Sequence, residues 1–170
     1  MKTGGKAGGS LRVYLSGGME YAHKEGSDWR NDIEDWIRTS LGHEVFNPNK
    51  ESARYLSGLL NGNDFRSLKS TDLKRFTELV SGIVDLDSKE LAERTDYVVC
   101  YWDHSAQRGA GTKGELTIAR LYGKPVYMVT ETHPENIPGW ILGCTSEMFS
   151  SFEGLKQYLL GQFSTTKEQP

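Results

Sequence analysis

The sequence predicts a single α/β domain in which helices cover both faces of a mainly parallel sheet of four or five strands. Two observations predict it. Short apolar runs alternate along the chain with stretches of helical period, and alternating strands and helices favour a parallel sheet in a three-layer sandwich. The 170-residue chain also has the length of one domain, and a domain of this size buries about 70% of the surface that its unfolded chain exposes.

The first half of the chain contains two predicted strands and one clearly signalled helix. Residues 11–15 form an apolar run that stops at a Ser-Gly-Gly turn, as a buried strand does. A helix is predicted over residues 27–41, before Gly42, because a serine can cap its start and apolar residues recur at helical spacing. Residues 43–46 form a second short strand, whereas residues 50–74 are compatible with a loop or with one weak helix.

The second half of the chain repeats a strand, loop, helix, strand pattern around the apolar run 96–102, which is the clearest central strand. The other predicted elements are a helix through residues 73–80, a helix over 88–93, a turn-rich segment at 104–111, a helix over 113–122, a strand over 126–130 and a last helix over 151–160. This order of elements is typical of flavodoxin-like and Rossmann-like sandwiches.

We expect the folded domain to span residues 11–163, between a flexible lead at 1–10 and a flexible tail at 164–170. Glycine and polar residues dominate both ends, and such segments bury too little to become ordered. No stretch approaches the roughly 20 apolar residues of a membrane span, and the first ten residues contain no apolar run that could act as a signal. We therefore expect a cytoplasmic protein with no membrane partner.

Composition favours a small-molecule ligand. The net charge is −3, and the 20 basic residues are scattered rather than clustered, so the sequence lacks the basic surface that duplex nucleic acid requires. Cys100 and Cys144 form neither a disulfide framework nor a metal-ligand spacing, and the four histidines have no ligand spacing either. We expect a reducing compartment, and neither a metal nor a cofactor.

Ligands of open α/β sheets bind at the carboxyl ends of the strands, where three segments are unusual. The first is Ser16-Gly17-Gly18, whose glycines let backbone N–H groups approach a ligand, although such a turn is often only a tight loop. The second is 85–87, Asp-Leu-Asp, predicted at the start of a helix, where a helix cap is an equally good interpretation.

The third segment is 108–115, in which three glycines lead from a strand end to a helix start. It places Glu115 in the predicted first turn of that helix, where backbone donors and the helix dipole favour an ionised carboxylate. Such a carboxylate is suited to covalent attack on a sugar C1′. The alternative is a solvent-facing glutamate that only favours the helix N-terminus.

Three residues at the end of the central strand have similarly open interpretations. Asp103 and His104 are placed to face a base, although a polar residue that ends a strand needs no function. Trp102 has the shape to stack on a purine or pyrimidine, but an aromatic residue in this position is more often part of the core.

Several of these segments together resemble the nucleoside 2-deoxyribosyltransferase family, which includes the 2′-deoxynucleoside 5′-phosphate N-hydrolases. The resemblance covers about residues 11–130, and its most specific part is the Gly-Thr-x-x-Glu run that ends at Glu115. The other matching segments are residues 13–18, Asp87 with Leu91, residues 96–99, Ala119 and residues 123–126.

The resemblance implies a role for each matching residue. Glu115 matches the glutamate that attacks the anomeric carbon, and Tyr14 matches the tyrosine that orients it. Asp87 matches the aspartate that assists the departing base by proton transfer, with Asp85 as a rival because the interval to Asp96 is one residue longer than in the family. The positions that we assign to substrate binding are Ser16, Gly17, Gly18, Asp85, Asp103, Gly109, Gly111 and Thr112. Arg108 is a further source of positive charge beside them.

We therefore expect an enzyme that cleaves the N-glycosidic bond of a nucleoside or nucleoside 5′-monophosphate through a glycosyl-Glu115 intermediate. Hydrolysis and transfer to another base differ only in what attacks this intermediate, and the residues do not decide between them. Because members of the family complete their site across subunits, the resemblance also implies a homodimer or higher homo-oligomer. The alternative is a nucleotide-binding or sensing module that keeps the fold without turnover.

Overall fold

The computed structural model of the protein describes residues 10–60 and 64–164. The flexible ends expected at 1–10 and 164–170 therefore lie, apart from Ser10 and Ser164, outside the described residues. The described chain forms one sheet of five strands, in which every neighbouring pair is parallel. The strands are β1 (Arg12–Gly17), β2 (Glu44–Phe46), β3 (Tyr97–Tyr101), β4 (Val126–Val129) and β5 (Glu147–Phe149).

The strand order across the sheet is β2-β1-β3-β4-β5, which confirms the predicted flavodoxin-like α/β sandwich. The order reverses direction between β1 and β3, so a crevice forms there at the carboxyl edge of the sheet. Within the described residues, the helices are α1 (Ser27–Trp36), α2 (Pro48–Ser57), α3 (Leu68–Thr71), α4 (Leu73–Lys89), α5 (His104–Arg108), α6 (Gly111–Leu121), α7 (Gly139–Cys144) and α8 (Phe152–Phe163).

Alternate side chains of the buried strands pack against different helical layers. Val13 and Leu15 of β1 point to the face covered by α1 and α8. Tyr14 points to the opposite face, where it stacks on Phe46 at a ring-centroid distance of 5.2 Å and belongs to the core beneath α6. Because side chains alternate between the two faces of β1, the Tyr14 hydroxyl lies on the same side of the sheet as Glu115.

The sequence left residues 50–74 open, and in the structure their first part belongs to α2, a helix that begins at Pro48. The Asn47 side chain accepts a hydrogen bond from the Asn49 backbone at 3.2 Å, and Pro48 occupies the first helical position. Both are standard helix-start signals. The sequence alone did not indicate this helix, because an Asn-Pro pair directly after a short strand is also typical of a turn.

The separate helix predicted over residues 88–93 is wrong. Instead α4 runs without interruption to Lys89 and continues as a wider π-type turn, Glu90–Arg94. The helix runs through Gly82 without a break. A Cβ at this position would lie 2.5 Å from Tyr55 Cζ, so the glycine allows α2 and α4 to pack closely. Asp85 and Asp87 therefore lie near the end of a long helix and not at the start of a short one, and neither caps a helix N-terminus.

No helix in the described part of the chain is long and apolar enough to cross a membrane.

Candidate active site

A cavity of about 720 Å³ opens at the carboxyl edge of the sheet. Its walls come from the connection between β1 and α1, from α2 and α4, and from the start of α6. The lining includes seven of the residues that the sequence assigned to catalysis or substrate binding, namely Gly17, Gly18, Asp87, Gly109, Gly111, Thr112 and Glu115. The fold thus gathers segments that are far apart in the sequence around one space, and its size is that of a small-molecule site.

Glu115 lies at the centre of this arrangement. The Tyr14 hydroxyl donates a hydrogen bond of 3.0 Å to Glu115 Oε1, and the Ser16 hydroxyl donates one of 2.5 Å to Oε2. Tyr14 and Ser16 have no exposed surface. Both oxygens of the carboxylate are therefore held by side chains of β1, which fix its orientation toward the cavity.

The helix that bears Glu115 begins earlier than the sequence predicted, at Gly111, so Glu115 lies in its second turn and not in its first. Its carboxylate is held by the two hydroxyl groups rather than by backbone donors of the helix start. Burial raises the pKa of Glu115, while the Ser16 hydroxyl, the Arg30 guanidinium and the Tyr14 hydroxyl lower it. The helix start was expected to favour the ionised carboxylate, whereas in the structure burial outweighs the three groups that favour the charged form.

Asp87, in the last turn of α4, faces the same cavity. Its Oδ1 atom is buried and has no hydrogen-bond partner among the described residues. Burial, followed by the charge of Glu115, raises the pKa of Asp87 to about 8, although Tyr14 and Arg30 act in the opposite direction. A carboxyl group with this pKa carries a proton at neutral pH, so the cavity contains a proton donor beside a second carboxylate.

Two aspartates assigned to the site do not line this cavity. Asp85 is exposed and borders a smaller groove of about 280 Å³ on α4. Asp103 caps α5, where its Oδ1 accepts hydrogen bonds from the Ala106 backbone at 2.9 Å and from the Ser105 hydroxyl at 2.5 Å. Helix capping thus accounts for the polar residue after the central strand.

Trp102 and His104 also lie away from the cavity walls. The Trp102 side chain has no exposed surface and belongs to the core beneath α6. Trp102 is therefore part of the core, and no face of its indole ring is available for stacking on a ligand. His104 is exposed at the start of α5.

The glycines after β1 bring the backbone close to its neighbours. A Cβ on Gly18 would lie 2.7 Å from the Ala106 backbone nitrogen, and one on Gly17 would lie 2.7 Å from Trp29 Cζ2. Real Cβ atoms do not approach other atoms so closely, so packing alone requires both glycines. At Gly111, by contrast, an added Cβ would meet nothing within 4 Å.

Arg30, which the sequence analysis overlooked, lies beneath the site with 1% of its surface exposed. Its guanidinium donates hydrogen bonds only to backbone carbonyl groups, those of Leu15, Gly17, Gly18, Glu25 and Gly26. A signal was present, because Arg30 precedes Ile33 by three residues and Ile37 by seven, and therefore falls on the apolar face of the helix.

The mouth of the cavity is bridged by charged side chains that the sequence did not indicate. Glu20 pairs with Lys69 at 2.7 Å, and Glu25 pairs with Arg66 at 2.9 Å. Both pairs join the connection between β1 and α1 to the segment before α4. On the other side, the Arg108 guanidinium lies 4.1 Å from the centre of the Tyr21 ring.

Across residues 10–60 and 64–164, no group of three or more His, Cys, Asp or Glu residues could hold a metal ion. The carboxyl groups that line the cavity include Glu115, which is held from behind by two buried hydroxyls, and Asp87, whose pKa is raised.

Neither a protein-family model nor a curated protein matches the chain. Solved structures do match, and one of them is the CMP N-glycosidase BcmB from Clostridium botulinum. The alignment covers 87% of this chain and 96% of that chain, with a TM-score of 0.50 and 18% sequence identity. At this level of identity the likeness shows that the two chains share a fold.

Proposed function

We propose that this protein cleaves the N-glycosidic bond of a nucleoside or nucleoside 5′-monophosphate, with Glu115 as the nucleophile and Asp87 as the acid. The observation that carries the proposal is that two carboxyl groups in different surroundings line one cavity, Glu115 held by two hydroxyls and Asp87 with its pKa raised to about 8. The fold shared with a CMP N-glycosidase supports the same reaction class.

Each group has a defined task in the first step. A Glu115 oxygen attacks C1′ of the sugar, and the C1′–N bond breaks with its electron pair leaving on the base. Asp87 gives its proton to that base, so no free anion has to depart. The transition state resembles an oxocarbenium ion, which a carboxylate at the anomeric carbon stabilises.

The second step releases Glu115. A water molecule attacks C1′ and loses a proton to the Asp87 carboxylate, which restores both residues and yields the free sugar or sugar phosphate. A second base in place of water would give transfer instead. The Tyr14 and Ser16 hydroxyls hold the Glu115 carboxylate before attack and after release.

Incubation with a panel of nucleosides and 5′-monophosphates, with and without a free acceptor base, tests the proposal when base release is followed by chromatography. We expect Glu115→Gln to lower base release by a factor on the order of 10³ or more. Glu135→Gln is the matched control, because its carboxylate side chain is 87% exposed. A requirement for the acceptor base would identify a transferase.

The alternative, a binding module, makes a different prediction in the same assay. Wild type and Glu115→Gln would both release no base and would bind a nucleoside or nucleotide with equal affinity. Calorimetric titration with the panel compounds measures that affinity directly. Such a result would overturn the enzymatic proposal and retain the cavity as a ligand site.

We also propose that the protein is a homo-oligomer. Val84 of α4 is 55% exposed and lines the cavity, and Leu73 at the start of the same helix is 64% exposed. Apolar side chains in such a position favour burial against a second copy. Light scattering at assay concentration measures the mass, and a monomer of 19.1 kDa would contradict this proposal.

A further inference from the structure

Arg30 is a buried cation that no carboxylate pairs with among the described residues. Its five acceptors are all backbone carbonyl oxygens, at 2.7 Å for Gly17, 3.1 Å for Gly26 and 3.3 to 3.4 Å for the other three. Burial of a charge is costly unless hydrogen bonds and an opposite charge compensate it. The carbonyl groups supply the hydrogen bonds, and the compensating charge has to come from elsewhere.

One of the five carbonyl groups is that of Leu15 in β1, and the other four belong to two segments that border the cavity. Gly17 and Gly18 follow directly after Ser16, which holds Glu115. Glu25 and Gly26 form the turn before α1, in which both residues adopt a left-handed conformation with φ of 53° and 70°. Because one planar guanidinium bonds to both turns, it fixes the end of β1 relative to the opposite part of the cavity wall.

The charge of Arg30 acts on Glu115. Among the charged groups that influence Arg30, Glu115 is the one that favours its protonated form most. In return, the guanidinium lowers the pKa of Glu115 against the effect of burial. The pair has no direct hydrogen bond, so the interaction acts through space in a region where the low dielectric makes it strong.

We propose that Arg30 is a positioning residue for glycosidic cleavage, which holds the end of β1 beneath Glu115 and supplies the buried positive charge that keeps Glu115 ionised for attack. The inference rests on the proposed function of this site. Lysine cannot replace this residue fully, because an ammonium group has three donors and no planar fork, whereas Leu15 and the two turns together present five acceptors.

The pH dependence of kcat/KM tests the charge. The acid limb of the wild-type profile reports ionisation of Glu115. In Arg30→Gln we expect this limb to move to higher pH by about one unit, whereas Arg30→Lys shifts it less but lowers kcat. Arg120→Gln is the control, since it removes a positive charge from an exposed position on the helix of Glu115. An unmoved acid limb in folded Arg30→Gln would overturn the proposal.

A second variant separates position from charge. Gly26→Ala keeps Arg30 but places a Cβ 2.7 Å from its Nη1 atom and 2.6 Å from the Gly18 carbonyl oxygen. We expect a lower kcat with an acid limb close to that of wild type. A kcat equal to that of wild type in this variant would contradict the positioning role.

A carbon-13 NMR titration of labelled glutamate keeps the inference testable without turnover. The Glu115 carboxyl signal is assigned by its loss in Glu115→Gln, and its midpoint is expected to rise from wild type to Arg30→Lys and further in Arg30→Gln. If wild type cleaves no substrate, the proposed function fails, but the titration still measures whether the charge of Arg30 lowers the pKa of Glu115. If Arg30→Gln does not fold, equal midpoints in wild type and Arg30→Lys, together with equal thermal stability, overturn the inference.

Discussion

Tyr14 and Glu115 are 101 positions apart in the sequence, and the Tyr14 hydroxyl donates a hydrogen bond of 3.0 Å to Glu115. The contact forms where the strand order reverses, between the neighbouring strands β1 and β3. Glu115 belongs to α6, which connects β3 to β4 across the face of the sheet. Register explains why it forms, since Tyr14 pairs with Val98 and points to the face covered by α6. The topology of the sheet therefore delivers the hydroxyl to the carboxylate.

We predict that Tyr14→Phe lowers kcat. The change removes one donor from a half-buried carboxylate and leaves the ring that stacks on Phe46. A hydrogen bond to a charged group contributes about 1.5–3 kcal/mol, and this range corresponds to a roughly tenfold to hundredfold lower rate. Base release under saturating substrate measures the effect.

Tyr122→Phe is the matched control, because Tyr122 is 54% exposed at the end of α6. Its rate should equal that of wild type. A Tyr14→Phe variant that kept full activity would show that Glu115 needs no orientation by this hydroxyl.

We predict that the effect of Asp87→Asn depends on the leaving group. An ordinary nucleoside requires protonation of its base, and an amide cannot supply the proton, so the rate should fall by about 10²-fold or more. A nitrophenyl riboside releases a phenolate that departs without a proton, so its cleavage should change little. Asp85→Asn serves as the control, since that exposed carboxylate lies on the same helix outside the cavity. Equal loss with both substrates would assign Asp87 a role other than proton transfer.

Asp87 should also make the stability of the protein depend on pH. Its pKa is raised from 3.8 to about 8 in the folded chain, so the folded state binds the proton more tightly than the unfolded state. The contribution to the free energy of unfolding is therefore fully present below about pH 4 and is lost as the pH rises toward 8.

We predict that Asp87→Asn stabilises the protein relative to wild type most strongly at about pH 8 and little at about pH 4. The gain is at most about 5 kcal/mol, and a chain of this length gains roughly 2–4 °C in Tm per kcal/mol. Thermal unfolding monitored by circular dichroism across this pH range measures it. A gain that is the same at both pH values would show that Asp87 is ionised in the folded protein.

The fold was accessible from the sequence because it depends on local patterns, whereas the Tyr14–Glu115 contact was implied only by the resemblance to a known family. Apolar runs that end in glycine turns mark the strands, and the helix after β3 is marked by its own period. The likeness to a known family added the roles of the residues. Packing explains why the helix predicted over residues 88–93 is wrong. Asp87 and Ser88 have the side chains of a helix cap, but α4 continues through both of them.

The electrostatics of the site could not be predicted, because they depend on burial by distant segments. The sequence predicted that the helix start would favour an ionised Glu115, whereas the surrounding strands and helices bury it and raise its pKa. Arg30 was missed because an arginine in an amphipathic helix is ordinarily exposed. Only the three-dimensional arrangement shows that five carbonyl groups converge on its guanidinium.

The close approach at Gly18 leads to a last prediction about stability. A Cβ at this position would lie 2.7 Å from the Ala106 backbone nitrogen and 2.8 Å from the Ser105 carbonyl carbon. Backbone atoms cannot rotate away as a side chain can, so Gly18→Ala must push the turn after β1 away from α5, which costs about 1–3 kcal/mol. Chemical denaturation should show a lower midpoint than that of wild type.

Gly143→Ala in α7 is the control, because its Cβ would meet nothing within 4 Å, and alanine stabilises a helix relative to glycine. If both variants unfolded at the wild-type midpoint, the contact between this turn and α5 would not contribute to stability.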